Sequence, residues 1–138
     1  MLKDGKRGGI MGRLEIDFKK YHFLCNAAAF FELDERFAEA GGYIRALTEK
    51  PEHRFGALVA GLALMSQQGE LMRRLDGFDR GEILTEEQLS VRLMPGQLKE
   101  AQEIVMRAVS RGVHCEDEDE ERDLVQEEID AENSKKKD

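Results

Sequence analysis

The sequence predicts a mainly α protein. The expected architecture is a compact bundle of about four to five helices, with a short N-terminal β-strand or hairpin and a disordered acidic C-terminal tail. Three observations lead there. Charged residues make up 36% of the 138 residues and aromatics 7%, with no Trp, a composition that favours helices over a β-sandwich. Apolar residues recur at spacings of three and four through most of the chain. Finally, Glu116–Asp138 holds 12 acidic and 4 basic side chains, a net −8 that equals the formal charge of the whole chain, and the first 115 residues balance 17 against 17. The chain therefore divides into an arm (1–12), a helical domain (13–115) and an acidic tail (116–138).

The arm, MLKDGKRGGIMG, is rich in Gly and Lys and carries no apolar pattern. Either Met11 is the true start or the stretch is a disordered arm, and both readings leave it outside the fold. It lacks the apolar core of a signal peptide. In RLEIDFKKYHF, Leu14, Ile16 and Phe18 alternate with Glu15 and Asp17, the period of a half-buried strand. Tyr21-His22-Phe23 is a weaker second strand, because Lys19-Lys20 lacks the residue types of a tight hairpin turn.

The period changes at Asn26, a favoured N-cap. Phe30, Leu33, Phe37 and Ala40 then lie on one helical face, and Gly41-Gly42 is the expected end. A short helix is expected over Tyr43–Leu47, and Pro51 suits the first turn of the next one. That long helix carries Phe55, Leu58, Val59, Leu62 and Met65 as its apolar stripe. Gly56, Ala57, Ala60 and Gly61 keep a second face small, for close packing or self-association, since each helical Gly costs about 1 kcal/mol relative to Ala. Gly69 is expected to kink or break the helix, and DGFDRGEI to be a loop.

LTEEQL has the residues of a capping box (Thr85, Gln88) and a hydrophobic staple (Leu84, Leu89). Met94-Pro95-Gly96 stops that helix. A last helix is expected over Gln97–Arg111, with Leu98, Ala101, Val105 and Ala108 inward and Gly112 as its cap. In the tail, Glu116–Glu121 is an unbroken acidic run, and Leu124, Val125 and Ile129 give at most one or two amphipathic turns.

Chemistry-bearing patterns are sparse. His22, His53 and His114 lack partners at metal-ligand spacing, and no Cys-x-x-Cys completes a zinc set. Cys25 sits among apolar residues and reads as a buried structural thiol. Cys25 and Cys115 alone make no disulfide framework, which suits a reducing cytoplasm. Glu32, Asp34, Glu35 and Glu39 fall mostly on the outer side of their helix and read as a solvated face. Met65, Met72, Met94 and Met106 fit either core filling or an adaptable groove. No phosphate loop occurs, no apolar run approaches the ~20 residues of a membrane span, and the acidic balance disfavours nucleic acid. No enzyme activity and no cofactor is expected; the chain reads as a binding protein.

The order of features is similar to that of a known family. A strand segment leads into Asn26-Ala27, then Leu33-Asp34 and Gly41-Gly42; a small-residue helix follows; then come Leu84–Glu87, Pro95-Gly96 and the amphipathic run Leu98–Gly112. Over about Leu14–Gly112 this resembles the tail assembly chaperones of long-tailed bacteriophages, prophages and gene-transfer elements. The resemblance implies a protein of the host cytoplasm, absent from the mature virion. Such a chaperone binds the tape-measure protein, keeps it soluble and helps recruit tail-tube subunits. It also implies a longer form made by ribosomal frameshift, for which the Lys135-Lys136-Lys137 codons are the candidate slippery site and the acidic segment a tether. A helical client calls for an apolar groove, with Met65, Leu71, Met72 and Leu75 as candidate contacts and homo-oligomer formation open. The rival class is a small acidic adaptor or inhibitor that masks a basic partner surface through its tail.

One expectation concerns the tail alone. Deleting 116–138 removes few apolar residues, so the thermal midpoint should stay within a few degrees of the full chain's in a calorimetric scan.

Overall fold

A computed structural model describes residues 15–115. The arm, Leu14 of the expected strand, and the acidic tail with Lys135, Lys136 and Lys137 lie outside the described residues. Five α-helices are present among the described residues: α1 (Ala27–Arg36), α2 (Tyr43–Thr48), α3 (Pro51–Leu75), α4 (Glu86–Arg92) and α5 (Leu98–His114). Single 3-10 turns cover Phe18–Lys20, Ala38–Ala40 and Pro95–Gln97.

The arrangement follows from α3. Its 25 residues make a rod about 38 Å long, and α1, α2, α4 and α5 all pack against it. A helix covered from several directions cannot keep a polar face along its middle. From Ala57 to Leu62 every side chain is buried, followed by Met65, Ser66, Gly69 and Glu70. Phe55, expected in the apolar stripe, is instead exposed, because it precedes the stretch that its neighbours cover. Pro51 occupies the first turn as expected.

Gly61 shows what the small face is for. Tyr43, at the start of α2, is fully buried, and its hydroxyl donates to the Ala57 carbonyl at 2.8 Å. In an α-helix that carbonyl already accepts the Gly61 N–H. A Cβ on Gly61 would overlap the phenol oxygen, so only glycine lets the ring reach the backbone. Burial pushes the Tyr43 hydroxyl pKa far up, and the group stays a neutral donor.

Gly69 does not break α3, which runs through it without interruption. Likewise Gly112 does not cap α5, which continues to His114 and ends at Cys115 in the left-handed conformation (φ 57°). The two glycines serve one extended strap, His22–Cys25. A Cβ at Gly69 would strike the His22 carbonyl, and one at Gly112 the Cys25 carbonyl. The strap thus lies between α3 and α5, and the Leu24 N–H donates to the Met65 carbonyl at 3.0 Å.

No strand is present among the described residues. The alternation still has meaning, since Ile16 and Phe18 are buried while Glu15 is exposed. The hydrogen-bonding partner, however, is a side chain. The Ile16 N–H donates to Gln97 Oε1 at 3.0 Å, and Gln97 Nε2 donates to the Ile16 carbonyl at 2.8 Å. One buried amide stands in for a neighbouring strand. Asp17 then starts the 3-10 turn by accepting the Lys19 N–H at 3.2 Å.

The caps read from sequence are otherwise in place. Asn26 accepts the Ala29 N–H at 2.9 Å and also donates to Gln68 on α3 at 2.9 Å. Helix α1 stops at Arg36, short of Gly41-Gly42, and the Ala38–Ala40 turn fills the interval. Asp34 is not simply part of a solvated face: its carboxylate accepts the Tyr43 N–H at 2.9 Å and caps α2, whose own N-cap, Gly42, has no side chain. Both arms of the Thr85–Gln88 capping box are formed, each at 3.1 Å, and the staple residues Leu84 and Leu89 are buried.

The return loop after α3 is held by polar groups. Glu70 is 1% exposed. It accepts the Gly81 N–H at 2.6 Å, Arg73 at 2.8 Å and Arg74 at 2.9 Å. The Gly81 N–H, and then the two guanidinium groups, hold its carboxyl down to about 2 against the opposing effect of burial. Ser66 accepts the Leu84 N–H at 3.0 Å further along the same loop.

Two measurements check these packing arguments. Gly61→Leu should destabilise the fold in urea titrations by roughly 1–3 kcal/mol or more. Gly61→Ala should cost less in a Tyr43→Phe background, where the opposing oxygen is gone, than in the wild type. For Glu70, a carboxylate with a lowered pKa contributes fully above its ordinary value of 4.5, and the contribution disappears as pH falls toward about 2. The stability difference between the wild type and Glu70→Gln should therefore be constant at neutral pH, shrink between those two values and vanish below them.

Candidate functional site

An open concavity follows from the strap and its glycines. Small residues on two helices, Gly69 on α3 and Ala108 and Gly112 on α5, let the strap sink between them. The wider side chains on either side then stand above it, leaving an open groove of about 950 Å³. The strap side is Phe18, Lys19 and Tyr21 through Ala27. Met72 stands on the α3 side, Glu100, Ile104, Arg107 and Arg111 on the α5 side, and Cys115 at the end where α5 stops.

The groove combines apolar surface with a basic wall. Ile104 and Phe23 are half-buried, and Met72 is 45% exposed. The charged side chains of the lining are Lys19, Arg107, Arg111 and Glu100, three basic and one acidic, although residues 1–115 sum to zero. Cys25, the last residue of the strap, is buried, and desolvation pushes its thiol pKa up, which makes it a poor nucleophile. Among the described residues no three His, Cys, Asp or Glu side chains are grouped to hold a metal ion. His22 and His114 are exposed and His53 half-buried.

The candidate contact residues separate. Met65 is 0% exposed and belongs to the core, because the strap and the loop at Leu84 cover its turn of α3. It is withdrawn as a contact. Leu71 (43% exposed), Met72 and Leu75 (84% exposed) are surface residues on the last turns of α3, with exposed Phe78 just beyond. Of these only Met72 lines the groove. Leu71 and Leu75, four apart, share a helix face next to it. Ala57, Ala60 and Gly61 are packed inside the protein, while Gly56 faces open space.

Sequence reasoning passed over Ile104, Arg107 and Arg111. They follow the helical spacing of one face of α5, beside the buried Ala101, Val105 and Ala108. That spacing was visible; the strap opposite them was not. Glu70 also went unnoticed, since a Glu within a helix gives no sign that a loop eleven residues on will donate to it.

No helix among the described residues is long and apolar enough to cross a membrane. Searches against protein-family models, curated proteins and solved structures give no match to this chain.

Proposed function

We propose that this protein is a tail assembly chaperone of a long-tailed phage or related element, acting in the host cytoplasm. It binds the tape-measure protein, holds it soluble and helps recruit tail-tube subunits, and a frameshift at the Lys135–Lys137 codons yields a longer form. The observation that carries the reading is the apolar end of α3, where Leu71, Met72, Leu75 and Phe78 are exposed beside an open groove. Exposed apolar side chains grouped on one element mark an interaction surface. Helix-in-groove recognition is the mode suited to a long helical client. The resemblance between Leu14 and Gly112 supplies the identity of that client.

The test is co-expression with the long helical protein encoded downstream, followed by co-purification at low and high salt. The full chain should keep the client soluble, and binding should change little with salt, since apolar burial is hardly screened. Each Leu fully covered contributes about 1.5–3 kcal/mol, so Leu71→Asp/Leu75→Asp should weaken binding by about a hundredfold or more with the fold intact. Binding that needs the acidic segment and disappears at high salt would instead establish the acidic adaptor.

A further inference from the structure

The groove and the acidic segment meet at one residue. Cys115 lines the groove and is also the left-handed cap of α5, with its N–H turned back onto the Arg111 and Gly112 carbonyls. Such a cap ends the helix and turns the chain away from its axis. The chain therefore leaves α5 at the rim of the groove. The next six residues, Glu116–Glu121, are all acidic, and Leu124, Val125 and Ile129 follow. The groove that Cys115 lines also bears Lys19, Arg107 and Arg111. Reach is no obstacle. Helix α5, 17 residues long, spans about 25 Å, a distance that about eight extended residues cover.

We propose that the groove is the seat of this chain's own segment Glu116–Asp138. The acids of 116–121 lie against Lys19, Arg107 and Arg111, and Leu124, Val125 and Ile129 cover Ile104 and Met72. The match is one of charge and of position. A net −8 segment is tied to the mouth of a groove lined by three basic side chains and one acidic one, and a short tether gives an effective concentration in the millimolar range without a second molecule. The attraction at the rim is screened over about 8 Å at physiological salt, so the seat is reversible, and losing it shifts the thermal midpoint only slightly. The proposal stands apart from the chaperone reading, because it concerns the chain alone and its test contains no client.

Hydrogen–deuterium exchange on the full-length protein tests it. At about 20 mM salt, peptides spanning Leu124–Ile129 should exchange at least about fivefold more slowly than at about 1 M salt. The protection should not change over a tenfold range of protein concentration. Arg107→Glu/Arg111→Glu should abolish it, with amides of α3 still protected as the sign of an intact fold. A second variant, with the six acids of 116–121 changed to their amides, leaves the described residues untouched and should abolish it equally. Equal exchange at both salts in the wild type would overturn the proposal. So would protection that survives in the amide variant, or protection that rises with protein concentration, which would make a second copy the occupant.

Discussion

How closely two backbones approach is set by the Cβ atoms between them. In this protein the whole arrangement turns on two places along α3 where that atom is missing. At Gly61 a buried phenol reaches the helix backbone, and at Gly69 the strap carbonyl presses against it. Most helices meet through interdigitated side chains 8–10 Å apart. Here α3 also receives polar groups directly, through Tyr43 at one turn and the Leu24 N–H at another. Those contacts fix where α2 and the strap sit, and hence where the groove opens.

The polar groups of the interior have a complementary part. Ser66 and Glu70 are buried on α3, four residues apart, and both are satisfied by the returning loop. A buried carboxylate without donors would be costly; with one backbone N–H and two guanidinium groups it directs a single path for the chain. Arg73 adds to this by also reaching the Asp79 carbonyl and stacking over Phe78, 5.3 Å from the ring centre. The exposed apolar end of α3 is thus mounted on a rigid support. The bidentate Arg36–Glu86 pair at 2.8 Å joins α1 to α4 at the surface, where solvent keeps such a pair weak.

Elements whose signals are local were legible in the sequence. The Asn26 cap, the Thr85–Gln88 box, the Leu84–Leu89 staple and the Pro51 start need only neighbours in the chain, and the structure has them all. What failed was the meaning of glycine inside a helix. Gly69 and Gly112 look like punctuation by local rules, yet both belong to helix interiors because a distant segment requires their space. The alternation at Ile16 and Phe18 correctly marked buried residues but not their partner, since no local pattern shows that Gln97 will supply both hydrogen bonds. The site was half visible for the same reason. The apolar end of α3 could be read, Met65 was left open between core and groove and lies in the core, and the basic wall of α5 acquired meaning only with the strap opposite.

The strap has a consequence for the order in which the molecule forms. Ile16 and Gln97 are 81 residues apart, and the Cys25 carbonyl waits for Gly112, so these are among the longest-range contacts in an otherwise local, helical fold. Closing such loops is slow compared with helix formation. During synthesis at 5–20 residues per second, the segment around Ile16 leaves the ribosome roughly 4–16 s before its partner leaves it. The helices α1 to α3 can assemble in that interval, while the wall of the groove cannot. The groove between the strap and α5 is therefore completed last, and an unfinished chain does not carry it.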